Sequence, residues 1–293
     1  MISPLAVTFV VAVNSRDVLE RNLLASACFI GPQKHQVIIQ EGFSSATQAY
    51  NNALDKCTND IVVFVHQDLF LPDNWLSELG ASLDFLAKSD PAWGVLGCWG
   101  HTQQGSGAGF VYTNGQGLDG QSFEHPVPVQ TLDEIVLILR KSSNIRFDER
   151  LPDFHFYGTD ICMAAASAGK KCYAISAFCI HNTRWYHGYP EDFYRCYRHV
   201  KNAWSKFLPI QTSCIRISRL DKNYYKQRLR QAYRKLVGSD LQKGERAPDP
   251  HRIMREYEIV STYLAQSVEP ICHKPATSPV ARPTNTKVQS KLW

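Results

Sequence analysis

The sequence predicts an α/β fold: a Rossmann-like, mostly parallel central sheet flanked by helices, followed by a C-terminal helical extension. Three observations predict it. The apolar runs Leu5 to Val13 and Ile61 to Val65 are of strand length and lack polar alternation, as in strands covered on both faces. Strand-like and helix-like segments alternate through the first half of the chain, and right-handed crossovers turn that alternation into parallel pairing. Beyond residue 208 the chain becomes basic and helical in its spacing.

Taken in order, Leu5 to Val13 is the first strand. Arg16 to Cys28 follows as a helix, with Val18, Leu19, Leu23, Leu24 and Ala27 on one side. Gln36 to Gln40 holds a short strand around Val37-Ile38-Ile39. Ser44 or Ser45 caps a helix that runs through Leu54. Asp60 to His66 is the third strand, Pro72 opens a helix past Leu83, and Gly94 to Cys98 is the fourth strand. Gly100 to Gly120, rich in Gly, Gln and Ser, reads as a long loop with one short strand at Phe110 to Thr113. Ile135 to Leu139 is another strand. Thr159 to Ala168 is a helix stopped by Gly169, and Cys172 to Ile180 returns as one strand. Pro190 to Phe207 is an amphipathic helix dense in Tyr, Trp and Arg. A last helix is expected over Asp249 to Leu264, and the Pro-, Thr- and Ser-rich tail from Pro270 reads as disordered.

This order divides the chain into three parts. Residues 1–208 form the main domain, with a nucleotide-binding-type α/β half (1–100) and a second half of different character (101–208). Residues 209–267 form a basic helical extension, and 268–293 a tail. A chain of 293 residues with 44 % hydrophobic and 20 % charged residues has enough apolar mass for one good core. A net charge of +5 is too mild to argue for nucleic acid. No stretch reaches the length of a membrane span, and Pro4 to Val13 lacks the basic flank and small-residue cleavage site of a signal peptide. The nine cysteines form no CxxC pair, and several lie inside apolar runs, which fits reduced thiols in a cytoplasm.

Three constellations can carry chemistry. His66-Gln67-Asp68 directly follows an apolar strand, and ligands of open α/β sheets bind at the carboxyl ends of strands. A carboxylate there suits a hard divalent cation held against a diphosphate, although Asp68 would also serve as a turn residue before Pro72. Phe147-Asp148-Glu149-Arg150 is followed by Tyr157-Gly158-Thr159-Asp160, where Asp160 is either a first-turn acid or a carboxylate held rigidly enough to accept a proton. His181 closes the last strand before Trp185, Tyr186, His187 and Tyr189. A neutral imidazole there can ligate a transition-type metal, and the rings can stack on a sugar or fill the core.

Together these motifs resemble the family 2 glycosyltransferases, in particular a bacterial group with His-Gln-Asp in place of Asp-x-Asp. The resemblance runs in order from Val7 to His187. It takes in Val13-Asn14, Val37 to Glu41, Ala49-Tyr50-Asn51, Val62 to Trp75, Val129 to Arg140 with Leu132-Asp133-Glu134, Phe147-Asp148-Glu149, Tyr157 to Gly169, and His181. It implies a GT-A fold and an inverting, metal-dependent transfer from a nucleoside-diphosphate sugar to an acceptor hydroxyl, in bacterial surface polysaccharide or glycoconjugate assembly. It implies Asp68 and His181 as ligands of Mn²⁺ or Mg²⁺ and Asp160 as general base. Asn14, Glu41, Asn51, His66, Gln67 and Asp68 fall where the donor nucleotide is held, with a UDP-sugar as the expected donor. Asp133, Glu134, Tyr157 and Trp185 fall on the side of the glycan or lipid-linked acceptor. Two departures stand out: Gln40-Glu41 occupies the place of the family's Asp after the second strand, and His66 that of a carboxylate.

A methyltransferase, dehydrogenase or sugar-nucleotide pyrophosphorylase would need a glycine-rich turn after the first strand, where this chain has Asn14-Ser15-Arg16. The alternative of another class is a non-catalytic GT-A-like module that binds a glycan or nucleotide. Arg216 to Arg246 carries ten Lys or Arg against three acidic residues, as a solvated face or as a contact for an anionic membrane surface. A cytoplasmic location follows, peripheral at the inner face of the membrane if that contact is made.

Overall fold

A computed structural model describes residues 5–30, 35–184, 188–237 and 244–255. The chain begins with β1 (Val7–Ala12), α1 (Arg16–Arg21), β2 (Gln36–Gln40), α2 (Ala46–Leu54), β3 (Ile61–His66), β4 (Leu69–Phe70) and α3 (Trp75–Ser89). Seven strands follow: β5 (Leu96–Gly97), β6 (Trp99–His101), β7 (Gly107–Thr113), β8 (Gly117–Gly120), β9 (Val127–Val129), β10 (Thr131–Leu132) and β11 (Val136–Arg140). The last elements are α4 (Tyr157–Ser167), β12 (Cys172–Ala174), β13 (Cys179–His181), α5 (Glu191–Ala203) and α6 (Lys222–Leu236).

The large sheet has the order β2-β1-β3-β11-β5-β12-β9. Strands β1, β2, β3, β5 and β12 run one way, and β11 and β9 run against them. Five of the seven strands share one direction, but three of the six neighbour pairings are antiparallel, so the sheet is mixed. Successive side chains of a strand point to opposite faces. In β3, Val62 and Phe64 enter one core with Tyr50, Leu137 and Ile161, while Val63 and Val65 enter the other with Phe9, Leu79 and Ile138. Helices α2, α4 and α5 cover the first face and α1 and α3 the second, so a strand in the middle has no polar side to show.

A smaller sheet, β10-β6-β7-β13-β4 with β8 on β7, stands beside the large one. Four times the chain leaves the large sheet and enters the small one within a few residues: β3 to β4, β5 to β6, β9 to β10, and β12 to β13. The single strand expected over Cys172 to Ile180 is for this reason two. The loop expected over Gly100 to Gly120 is also mostly strand, β6 to β8. Its glycines let backbone cross the Trp99 ring closely: a Cβ on Gly109 (φ 143°) would lie 2.2 Å from the Cys98 carbonyl, and one on Gly120 (φ 75°) 2.0 Å from that of Gly109. These are close-approach glycines inside strands, a use that composition does not separate from loop glycines.

The helix expected over Arg16 to Cys28 stops at Arg21 and continues as two short 3₁₀ turns. Asn22 breaks it. Its side chain is 3 % exposed, its amide donates to the Val18 carbonyl, and its Oδ1 accepts from Asn182. Ser45 caps α2 by accepting from Gln48 N–H, and Gly169 ends α4 with φ 72°. After α5 the chain folds back: Ile210 pairs with Ile217, and both are fully buried in the first core. The chain divides at Met254. Residues 250–255 are helical, and of the unit Arg255–Trp293 only Arg255 is described. The remainder of the helix expected to Leu264, and the tail, lie outside the described residues. Among the described residues no helix is long and apolar enough to cross a membrane.

Candidate functional site

The last residue of β3 and the last of β13 meet where the two sheets join. β1 and β3 are in parallel register with Ala12 opposite His66, so both strands end together. The chain then turns through Gln67 and Asp68 into β4, which pairs antiparallel with β13 and sets Leu69 opposite His181. Asn182 N–H donates to the Asp68 carbonyl at 2.9 Å and locks the turn. Pairing of this kind, rather than any local sequence signal, brings residues 66, 68 and 181 together.

His66, Asp68 and His181 offer three ligand atoms within 4.8 Å of one another. His181 Nε2 lies 3.5 Å from Asp68 Oδ1 and 3.5 Å from His66 Nδ1. Asp68 is 6 % exposed, and burial alone would raise its pKa, but His181, His66 and the Arg246 guanidinium hold the carboxyl well below the usual range. Burial presses the His66 pKa down to about 4, with the charge of His181 adding to the effect, so the ring is neutral near pH 7.

The Tyr157 hydroxyl lies 2.7 Å from His66 Nε2 and 3.3 Å from the Glu134 carbonyl. Nε2 is thus engaged by Tyr157, and Nδ1 is the atom that faces His181 and Asp68. One carboxylate oxygen and two imidazole nitrogens form a donor set that suits Mn²⁺, and a ligand histidine whose other nitrogen is engaged has the usual second partner.

The donor-side residues fall into two groups. Gln67 and Asn14 lie beside the cluster and hold each other. Gln67 Oε1 accepts from the backbone N–H of Asn14 and Ser15, and its amide donates to Asn14 Oδ1 at 2.6 Å. Glu41 stands at the end of β2, exposed, with both oxygens in the fork of Arg16 at 2.6 Å. Asn51 is turned away from this surface. At 4 % exposure its amide donates to the Phe147 carbonyl and to Glu149 and accepts from Phe147 N–H, which fixes the 146–149 loop on α2.

Asp160 is likewise closed off. It is fully buried, and its two oxygens accept from Asp148 N–H at 3.0 Å and from the Trp204 indole N–H at 2.7 Å. Burial raises its pKa, and those two donors oppose the rise. Neither oxygen is exposed in this arrangement.

Glu134 faces an opening. A small cleft there is lined by Asp133, Glu134, His155, Thr159 and Ser213 among others. Burial raises the Glu134 pKa to about 8, Asp133 adding to the rise, while the N–H groups of Phe156 and Gly158 oppose it. Phe156 precedes α4 in the left-handed region (φ 63°, ψ 9°), uncommon for a bulky residue, and this conformation turns the start of α4 toward Glu134. Gly158 is required there, since a Cβ would lie 2.7 Å from the Leu132 carbonyl and 3.3 Å from Glu134 Cγ. Tyr157 is 3 % exposed and links Glu134 to His66. Trp185 lies outside the described residues.

Sequence reasoning missed Arg246, which reaches back 178 positions to donate to Asp68 Oδ2 at 2.9 Å. It sits in a run of lysines and arginines that reads as a solvated face, and no local pattern marks it.

Residues 8–203 match the model of a family described as "Glycosyltransferase like family". A curated relative from Fuscovulum blasticum, "ATP synthase subunits region ORF 6", is 27 % identical over 169 residues, which are 55 % of this chain and 66 % of that protein. This chain thus spans just under two thirds of that relative's length. Among solved structures, GalNAc-T7 with UDP, GalNAc and Mn²⁺ is similar with a TM-score of 0.50 at 11 % identity, over 71 % of this chain and 50 % of that one. At that identity the likeness is one of fold. S. aureus TarS, residues 1–349, gives a TM-score of 0.46 at 18 % identity, over 68 % of this chain and 65 % of that one.

Proposed function

This chain belongs to the glycosyltransferase-like family, with a GT-A fold, and from that premise we propose that it transfers a sugar from a nucleoside-diphosphate donor to an acceptor hydroxyl. The observation that carries the reading is the meeting of His66, Asp68 and His181 at the carboxyl ends of β3 and β13, beside the end of β1. That donor set fits Mn²⁺ or Mg²⁺, and His66 Nδ1, Asp68 and His181 Nε2 would hold the ion. A bound ion supplies positive charge against the leaving diphosphate.

The chain's own residues do the rest. Tyr157 engages Nε2 of His66 and holds its ring. Gln67 and Asn14 shape the floor where a nucleotide lies, and Glu41 with Arg16 borders it. Asp133 and Glu134, across Tyr157 from the cluster, face the cleft that receives the acceptor. Glu134 takes the proton of the acceptor hydroxyl, because it opens to the cleft and its pKa, raised to about 8, makes it a stronger base than an ordinary carboxylate once it ionises above neutral pH. Asp160, shut between Asp148 and Trp204, orients the start of α4 instead. Attack from the face opposite the diphosphate makes the transfer inverting.

Purified protein presented with a panel of nucleotide sugars and Mn²⁺ or Mg²⁺ tests this reading. Metal-dependent donor hydrolysis or transfer is expected. Binding of donor with no turnover under any metal would favour the non-catalytic module.

We also propose a peripheral site of action on an anionic membrane, in the assembly of a lipid-linked surface glycan. Tyr225, Leu229, Tyr233 and Leu236 of α6 are 60–85 % exposed at helical spacing, with Lys226 and Arg230 among them, which is the composition of an interfacial helix. Buried cysteine thiols such as Cys98, Cys162 and Cys179 support a reducing, cytoplasmic setting. Cosedimentation with phosphatidylserine vesicles should be lost in a Leu229→Asp, Tyr233→Asp variant; equal binding by both proteins rejects the contact.

A further inference from the structure

Residues 244–249 form a strap across the cation cluster, and the strap is fixed on both sides of Arg246. Asn114, at the end of β7, donates its amide to the Glu245 carbonyl at 2.7 Å and to the Thr183 carbonyl at 3.0 Å. Asn182, 1 % exposed after β13, donates to the Ala247 carbonyl at 2.9 Å, and its Oδ1 accepts from Ala247 N–H at 2.7 Å. A side-chain amide that takes both backbone groups of one residue sets the register of the strap. Arg246, between these two ties, points into the site.

Its guanidinium is only partly satisfied there. Nη2 donates to Asp68 Oδ2 at 2.9 Å, while Nε is buried with no acceptor. Buried N–H groups of a charged side chain are almost always paired, and an orphan beside a candidate ligand site marks a place for an acceptor that arrives later. The charges agree. Asp68 is the sole carboxylate of the cluster, and it faces Arg246 through Oδ2 and His181 through Oδ1. A divalent ion and a guanidinium together bring three positive charges to one carboxylate. The surplus matches an anion with two or more negative charges, such as a diphosphate.

We propose that Arg246 is a ligand of the donor's diphosphate, brought to the site by the 244–249 strap and resting on Asp68 until the diphosphate arrives. This rests on the donor reading above and extends it. A bound cation would share Asp68 with the guanidinium. When a diphosphate enters, Nε and Nη2 turn to its oxygens, which would leave Asp68 free to hold the cation.

Calorimetric titration tests the assignment with binding as the readout. Wild-type protein, Arg246→Ala, Arg246→Lys and the exposed-strap control Glu245→Ala are each titrated with Mn²⁺ alone, then with UDP and with GDP in the presence of Mn²⁺. Arg246→Ala should bind the nucleoside diphosphate roughly 10–100-fold more weakly, the loss expected for one charge-assisted hydrogen-bonding group. Its affinity for Mn²⁺ alone should be equal to or tighter than wild type. Arg246→Lys should fall between, and Glu245→Ala should match wild type. If wild type binds UDP or GDP and Arg246→Ala binds it equally, the assignment of Arg246 is wrong while the donor reading stands. If Glu245→Ala loses as much as Arg246→Ala, the strap rather than the guanidinium matters, and the assignment is again wrong. If wild type binds neither nucleotide with Mn²⁺, the donor reading and this one fall together.

Discussion

Replacement of Glu134 by glutamine isolates the proposed proton acceptor from the fold around it. The two side chains have nearly the same shape, and the amide oxygen of glutamine still accepts from the N–H groups of Phe156 and Gly158 that oppose the rise in the Glu134 pKa. What disappears is the basic oxygen. Loss of a positioned general base slows transfer by about 10²–10⁴-fold, which at about 1.36 kcal/mol per decade is about 3–5 kcal/mol in the barrier. The pH profile supplies a second, sharper readout. With the Glu134 pKa raised to about 8, by burial first and Asp133 second, the group is protonated at acid and neutral pH and cannot take a proton. Wild-type turnover should therefore rise as pH approaches 8 and level off above it. In Glu134→Gln that rising limb should vanish and leave a low rate. The assay is transfer from a nucleotide sugar at saturating Mn²⁺ between pH 6 and 9, with a melting curve for each variant. Asp160→Asn is the companion: it should lower stability and leave the limb in place. A Glu134→Gln enzyme within a few-fold of wild type would refute the reasoning. So would an Asp160→Asn enzyme that melts normally but transfers nothing, and that result would return the role to Asp160.

Asp68→Asn removes the cluster's carboxylate and leaves the Arg246 guanidinium facing no negative charge, so calorimetry should show no Mn²⁺ binding and urea unfolding a loss of about 3–5 kcal/mol. Tyr157→Phe removes the hydrogen bond to His66 Nε2 while the ring stays packed. Mn²⁺ affinity should fall about 10–100-fold by titration, and an unchanged value would deny His66 a place among the ligands. Trp204→Phe strips one donor from the buried Asp160 carboxylate. The urea midpoint should drop, equivalent to about 1–3 kcal/mol, with the slope unchanged.

Much of the fold was legible because its causes are local. The apolar runs at Val7–Ala12 and Ile61–His66 announce doubly covered strands, Ser45 announces the start of α2, and Gly169 the end of α4. The three members of the cation cluster carried a local signal as well, since each stands at or just beyond the end of an apolar strand. The rest depended on partners far along the chain. Asn22 ends α1 because it meets Asn182, 160 residues away. Gly107, Gly109 and Gly120 lie in strands that cross closely over Trp99, where a Cβ would clash with its ring.

The residues of the site divide in the same way. The sequence alone determined which side chains of the right chemistry sit at strand ends, because strand length and end chemistry are written in consecutive residues. The fate of each carboxylate was decided only in three dimensions. Asp160 and Glu134 are both acids near the start of α4, and nothing in their neighbours says which is closed by Trp204 and which opens to a cleft. Arg246 looked like one more cation of a solvated run until Asn114 and Asn182 tied the backbone of its neighbours Glu245 and Ala247 and its side chain reached Asp68. Burial and charge are properties of the assembled site, and they are set by which distant segments pack there.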